Sequence, residues 1–285
     1  MASMRDIKRR RSSIQSTQQI TKAMKLVSTV KLQKAKTRAE LTDPYFQYMY
    51  KTVTSILARS GNINHPYLSD NNSERIAVIM ITSNRGLAGG YNSNITKLIL
   101  NGDLPKDKVD LYTIGSKGRD ALERKGYAIV NDFSDVIENP TYKDAMDICN
   151  KVLADFTEGK IGQIYLAYTH FKNTVVHVPQ LMKMLPVEFS EEEINAADKN
   201  IIMNYEPNDS EALDMIIPKY VTSIFYGALV EAVASENGAR MQAMDSATSN
   251  AEDMISDLSL KYNRARQGSI TQELTEIIAG AEAIS

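Results

Sequence analysis

Ile14-Gln15-Ser16-Thr17-Gln18-Gln19-Ile20-Thr21-Lys22-Ala23-Met24-Lys25-Leu26-Val27 lies inside a run, Met4 to Asp43, that contains neither glycine nor proline. Gln, Lys, Arg, Met, Leu and Ala predominate in it, all residues that enter a helix at little cost. Ile20, Met24, Val27 and Val30, followed by Ala35 and Ala39, recur at helical spacing, which predicts one long helix with these side chains on its apolar stripe. Upstream, Ile7 and Ile14 stand on an otherwise polar surface. At ~1.5 Å per residue a helix of roughly 40 residues reaches ~60 Å. That exceeds the width of a compact domain of this size, so much of the helix is expected to project. Pro44 marks a break or kink, after which Tyr45–Ser60 can resume as helix toward Gly61.

The other end of the chain mirrors this one. No proline occurs from Lys219 onward, over 67 residues. Tyr220, Ile224, Gly227, Ala234, Gly238 and Met241, and later Ile255, Leu258, Tyr262, Ala265 and Ser269, follow a three/four rhythm that reads as a heptad-like seam. Glycines at 227, 238, 268 and 280 each cost ~1 kcal/mol against alanine inside a helix; they allow tight packing or mark bends. Pro218 sits near the first turn of this run or kinks it.

Charge separates the two ends. Residues 1–60 hold 13 Lys and Arg against 3 Asp and Glu, whereas residues 206–285 hold 5 against 13. Opposite charge on two long helices of one chain suggests an antiparallel coiled coil, each helix serving as the other's counter-charge, although exposed pairs contribute only ~0.3–0.5 kcal/mol each. Two faces of an ordinary helical bundle are the alternative.

A different grammar lies between them. Arg75–Thr82 (RIAVIMIT) reads as a buried strand, Asn92–Leu100 as a helix, Val109–Ile114 as a strand and Lys117–Lys125 as a helix. Tyr127–Asp132 is a third strand, Tyr142–Phe156 a helix, Gln163–Tyr168 a strand, and Thr174–Leu185 an extended, partly exposed segment. Strands alternating with helices imply βαβ units around a mainly parallel sheet. Glu191–Glu193, Asn195 and Asp198–Asn200 suggest a polar surface stretch. The expected fold class is therefore α/β: a long antiparallel coiled coil of N- and C-terminal helices plus a Rossmann-like middle domain, divided as residues 1–60, 61–207 and 208–285.

The 285 residues, 43% apolar and 24% charged, have the composition of a soluble globular protein. Apolar runs such as Ile76–Ile81 stop well short of the ~20 residues of a membrane span, so contact with a membrane is expected only through a partner. The basic polar start has no secretory signal character. Cys149 is the only cysteine, which excludes a disulfide framework, and three histidines leave little for metal chemistry.

Candidate chemistry is thin. Arg85-Gly86-Leu87-Ala88-Gly89-Gly90 follows the first strand, where a phosphate cradle would need glycines. Its spacing is neither the dinucleotide fingerprint nor the P-loop, and Gly115-Ser116-Lys117-Gly118 is incomplete in the same way. Tight strand-to-helix turns explain both better than nucleotide binding does. Lys8-Arg9-Arg10-Arg11 could track phosphates, but it has no interleaved aromatics and lies opposite an acidic helix of its own chain. No catalytic residue, metal or cofactor is assigned.

The Ile14–Val27 string closely resembles the N-terminal helix of the gamma subunit of F-type ATP synthases. Tyr262-Asn263-Arg264-Ala265-Arg266-Gln267-Gly268-Ser269-Ile270-Thr271-Gln272-Glu273-Leu274 resembles that family's C-terminal helix. Ser235-Glu236-Asn237-Gly238-Ala239-Arg240-Met241-Gln242-Ala243-Met244 and the Arg85–Gly90 loop match as well, in family order. The loop departs in reading Asn84-Arg85 and Ala88 where Asp-Arg and Cys are frequent. The chain lacks the cysteine pair that chloroplast relatives use for redox control, so that regulation is not expected.

The resemblance implies a non-catalytic rotor shaft. It would couple proton flow through the membrane c-ring to ATP synthesis or hydrolysis at the beta subunits, and would regulate ATPase activity. Implied partners are the alpha and beta subunits of the catalytic head, the epsilon subunit and the c-ring, with no nucleic acid and no directly bound nucleotide. The implied location is peripheral, on the cytoplasmic face of the bacterial cell membrane. By position in the resemblance, Met24 and Arg240 contact acidic loops of beta, and Arg266, Gln267 and Thr271 contact its catch loop. Lys22 and Lys25, flanking Met24, are expected to add complementary charge. Arg240 and Arg266 stand on an otherwise acidic helix, so their own chain is expected to gain little from them.

Overall fold

The computed structural model describes residues 4–60, 65–69, 71–187 and 209–284. The polar stretch around 191–200 lies outside the described residues. Two very long helices, α1 (Met4–Ser60) and α5 (Asp209–Ile284), bracket β1 (Ile76–Ile81), α2 (Tyr91–Leu100), β2 (Val109–Ile114), α3 (Ser116–Glu123), β3 (Ala128–Asp132), α4 (Tyr142–Thr157), β4 (Gln163–Phe171) and β5 (His177–Leu185). Packing divides the chain into two compact units: residues 1–28 with 241–285, and residues 29–240.

The larger unit is built on a five-stranded sheet of order β3-β2-β1-β4-β5. β1 pairs in parallel with both β2 and β4, and β2 with β3. The segment expected to be extended and partly exposed is β5, which returns antiparallel on β4. Every residue of β1 is buried, as a central strand covered on both faces requires. Alternation along it feeds two cores. Ile76, Val78 and Met80 meet Ile95 and Ile99 of α2 and Leu122 of α3. Ala77, Ile79 and Ile81 belong with Ile148, Val152 and Phe156 of α4, Val53 and Ile56 of α1, and Leu213, Phe225 and Leu229 of α5. Thr141 and Asp144 close a reciprocal capping box at the start of α4.

Neither proline interrupts its helix. At Pro44, where a break or kink is expected, α1 is not broken and runs on to Ser60. Pro218 lies well inside α5 and not in its first turn. A proline inside a helix costs ~3 kcal/mol, and packing on both sides offsets it. Phe46 stacks on Tyr220 with centroids 6.4 Å apart, and Ile217, Tyr220 and Val221 are buried around Pro218.

The smaller unit is an antiparallel pair of helices. Its direction is fixed by cross-helix contacts in opposite sequence order: Gln18 Nε2 donates to Glu252 Oε1 at 3.0 Å, Thr21 and Thr248 hydroxyls meet at 2.8 Å, and Lys25 Nζ reaches Asp245 Oδ1 at 2.6 Å. Within this unit α5 shields Met244, Thr248, Ala251, Ile255, Leu258, Tyr262, Ala265 and Ser269, an unbroken heptad alternation that contains the seam expected from Ile255 onward.

Half of the α1 stripe read from sequence is shielded: Ala35 is buried, and Met24 and Ala39 are partly covered. Ile20, Val27 and Val30 are 60%, 58% and 57% exposed. The shielded positions in this unit are Ile7, Arg11, Ile14, Gln18, Thr21, Lys25 and Ser28, with Met24 also partly covered. The helix thus shields Thr21 and Ser28 together with Ile7 and Ile14, and leaves Ile20, Leu26 and Val27 outside. An 18-residue window of α5 has a mean hydropathy of 1.3, apolar and long enough to cross a membrane by composition, but 56% of that window is buried within the protein.

Candidate partner-contact surface

The first part of the surface is the helical pair. Lys22 is exposed on α1, beside the half-covered Met24. Lys25 is not a spare cation, because its ammonium is held by Asp245 at 2.6 Å. Arg11 lies 5.6 Å over the ring of Tyr262, and Arg9 pairs with Asp6 of its own helix at 3.2 Å. Lysine 261 likewise pairs with Asp257 one turn away at 2.7 Å. The charge split between the chain ends is therefore met only in part by direct pairing across the seam.

The cross-helix contacts place Met4 near the level of residues 265–268, so α5 continues past the first described turn of α1. From Ile270 to Ala281 every residue is exposed, including Leu274, Ile277 and Ile278 at 55%, 67% and 59%. Arg266, Gln267 and Thr271 sit at the start of this segment, exposed, and the Thr271 hydroxyl donates to the Gln267 carbonyl at 2.9 Å. Among the described residues Arg266 has no ion-pair partner.

The second part, in the sheet-bearing unit, surrounds Arg240. Its guanidinium pairs with Glu236 one turn back at 2.7 Å, and the two side chains are only 10% and 12% exposed. It also donates to the carbonyls of Arg85 and Gly86 at 3.4 Å. Burial pushes the Glu236 carboxyl above its ordinary range, and Arg240 opposes that shift. The expectation that the chain gains little from Arg240 is overturned: the residue ties the glycine loop to α5. Glu138 stands beside the same loop, 3.5 Å from Arg85 and 3.6 Å from Lys31. Tyr91, buried, donates its hydroxyl to the Ala232 carbonyl at 3.2 Å. None of Glu236, Glu138, Lys31 or Tyr91 was marked by sequence. The i, i+4 spacing of Glu236 and Arg240 was the one available signal, and it looks like any exposed helix pair until burial is known.

The glycines of the two loops serve different ends, backbone conformation in the first and close packing in the second. Leu87 and Gly89 take left-handed φ values of 62° and 54°. A Cβ on Gly115 would stand 2.1 Å from the Thr82 carbonyl oxygen, and one on Gly118 would stand 2.6 Å from the Thr82 side chain. The amides at the start of α3 that a phosphate would need are taken by the chain itself. Ser116 N donates to Asn84 Oδ1 at 2.9 Å, Lys117 N to the Ser83 carbonyl at 3.1 Å, and Gly118 N to Thr82 Oγ1 at 3.0 Å. The turn is a strand-to-helix joint.

A family model described as ATP synthase matches residues 3–284. The ATP synthase gamma chain of Lachnoclostridium phytofermentans is 63% identical over 291 residues, covering all of both chains. The ATP synthase gamma chain of Alkaliphilus metalliredigens is 44% identical, covering 99% of this chain and 98% of its own. A gamma chain of Acetobacterium woodii described as sodium ion specific is 40% identical, covering 99% of each. Among solved structures, a chain of the Euglena gracilis mitochondrial ATP synthase shares the fold with a TM-score of 0.73 at 19% identity, over 99% of this chain and 94% of that one. With relatives this similar matched over its whole length, and with the paired terminal helices and mixed sheet that the likeness requires, the chain belongs to the ATP synthase gamma-chain family.

Proposed function

We infer that this chain is the central-stalk rotor subunit of an F-type ATP synthase. It is a non-catalytic shaft that couples ion flow through the membrane c-ring, expected to be proton flow, to ATP synthesis or hydrolysis at the beta subunits. The observation that carries this reading is the helical pair itself. Its seam shields Thr21 and Ser28 of α1 and Met244, Ala251 and Leu258 of α5, while Ile20, Leu26 and Val27 on α1 and Met254, Leu260 and Ile270 on α5 stay 48–63% exposed. An apolar exterior of this kind suits a helix pair enclosed by other subunits. Binding to the catalytic head through alpha and beta, and at the other end to epsilon and the c-ring, then places the chain peripherally on the cytoplasmic face of the cell membrane.

Coupling follows from asymmetry. A shaft of two unlike helices, one of which continues past the first described turn of the other, offers a different surface to each of three surrounding catalytic sites. A site's conformational equilibrium shifts only by the difference in contact free energy between its states, and rotation passes that difference from one site to the next. Met24, Lys22, Arg266, Gln267 and Thr271 are proposed as contacts with beta, Lys22 and Arg266 as exposed cations for carboxylates. Lys25 would act there only in competition with Asp245. Arg240 is proposed to meet beta through the edge of its guanidinium while its pair with Glu236 keeps the glycine loop in place.

The test is the double variant Arg266→Ala, Gln267→Ala in the reconstituted complex, with Arg264→Ala as a neighbouring exposed arginine for control. A shielded Arg–carboxylate pair couples by ~1–3 kcal/mol, so ATP turnover or ion pumping should fall about fivefold or more in the double variant and stay normal in the control. Normal turnover and pumping in the double variant across ionic strengths would remove these residues from the contact surface.

A further inference from the structure

The rotor reading leaves unused a cavity of about 1050 Å³ in the sheet-bearing unit, bounded by residues 39–46 of α1, by β4 and β5, and by α5 from Ser223 to Glu231. Sites of this size take organic molecules. Aromatic rings make much of its wall: Tyr45, Phe46, Tyr142, Tyr168 and Tyr226. Tyr142 stands edge-on between Tyr45 and Tyr226, with centroids 6.5 and 5.7 Å away, so ring faces and edges remain turned along the cavity. The Tyr168 hydroxyl is engaged by Gln180 Oε1 at 3.2 Å.

Apart from the imidazole of His170, charge in the lining has one sign. Glu40 and Glu231 contribute carboxylates, and neither lysine nor arginine lines the space. His170 Nδ1 lies 2.7 Å from Glu231 Oε2, and among the described residues the other oxygen of that carboxylate has no partner. A second feature shows that the volume is built into the sequence. Gly227 lines the cavity in the middle of α5, where glycine costs ~1 kcal/mol against alanine. No atom lies within 4 Å of where its Cβ would be, and its backbone angle does not demand glycine. Tight packing therefore does not explain it; the absent side chain is space in the cavity.

We propose that this cavity binds a small organic cation with a flat apolar body, of the class of aromatic amines. The ring system lies among the tyrosines and the ammonium is directed to Glu231, with Glu40 adding to the field. Aromatic faces attract a desolvated cation, and the carboxylate supplies a charge-assisted hydrogen bond. An anion of the same shape would meet two carboxylates and neither lysine nor arginine.

The experiment compares three probes that share one ring system, 2-naphthylmethylamine, 2-naphthalenemethanol and 2-naphthylacetate, by titration calorimetry with the full-length chain. One amine per chain should bind, at least about tenfold tighter than the alcohol, with the acetate weakest. Glu231→Gln keeps the size and the hydrogen bond to His170; it should weaken the amine about tenfold and change the alcohol less than about twofold. Gly227→Leu improves helix propensity while filling the space, so it should abolish binding of all three with helicity unchanged. Failure of the amine to bind, acetate binding as tight as the amine, or undiminished binding in Gly227→Leu would each overturn the proposal.

Discussion

Replacing Arg240 by alanine removes the counter-charge of a carboxylate that is 12% exposed and 2.7 Å away. At an effective dielectric constant near 20 a pair at ~4 Å is worth ~4 kcal/mol, and loss of one partner of a buried pair costs ~3–5 kcal/mol in general. Glu236 has one escape, which is to take up a proton. From an ordinary value of ~4.3, at ~1.4 kcal/mol per unit, protonation costs ~5 kcal/mol at pH 8 but only ~1.6 kcal/mol at pH 5.5. The loss at pH 8 should therefore be ~3–4 kcal/mol, and at pH 5.5 it should be capped near ~2 kcal/mol. The sign is that of a carboxyl whose pKa is raised by folding: burial already holds Glu236 high, removal of Arg240 raises it further, and a raised carboxyl costs stability above its unfolded pKa and relieves that cost as pH falls. Urea unfolding of wild type and Arg240→Ala, followed by tyrosine fluorescence at both pH values, measures this. The double variant Glu236→Gln, Arg240→Met should recover most of the loss, since an uncharged pair of similar size leaves no buried charge. A loss under about 1 kcal/mol at pH 8, or the same loss at both pH values, would refute the assignment of Arg240 as the partner of a buried carboxylate.

Cysteines at Thr21 and Thr248, whose hydroxyls meet at 2.8 Å, should crosslink within one chain under mild oxidation, seen as a faster-migrating band; its absence would contradict the antiparallel register. Ile20→Ser and Val27→Ser, at positions 60% and 58% exposed, should each change the thermal stability of the chain by less than about 0.5 kcal/mol, whereas a loss above about 1 kcal/mol would mean that they line the seam. Gly115→Ala, which brings a Cβ to 2.1 Å from the Thr82 carbonyl, should prevent folding of the sheet-bearing unit or cost ~3 kcal/mol or more. Gly89→Ala meets no neighbour and should cost only the ~1–2 kcal/mol of a left-handed residue; equal effects in an unfolding titration would contradict the loop geometry.

Local chemistry determined much of this protein. A glycine- and proline-free run of good helix formers has no alternative to a helix, and alternation of strand and helix patterns in 75–185 has few alternatives to a mainly parallel sheet. The seam from Ile255 to Ser269 was legible because there the shielded side chains are also the apolar or small ones. On α1 the same rule held for Met24, Ala35 and Ala39 but pointed to the wrong side at Ile20, Val27 and Val30. Ile20 and Val27 are the more apolar residues, yet Thr21 and Ser28 are buried, because periodicity reports which face avoids water and not which body covers it. A surface turned toward other subunits has the same pattern as one turned toward the chain's own helix. Pro44 and Pro218 were overridden in the same way, since a helix break is a local cost and the rings and aliphatic side chains packed around them lie far away in sequence. Arg240 shows the limit most clearly. As a letter four places after Glu236 it is an ordinary surface arginine, and only the approach of the glycine loop from residues 85–86 excludes water and turns that pair into a buried one.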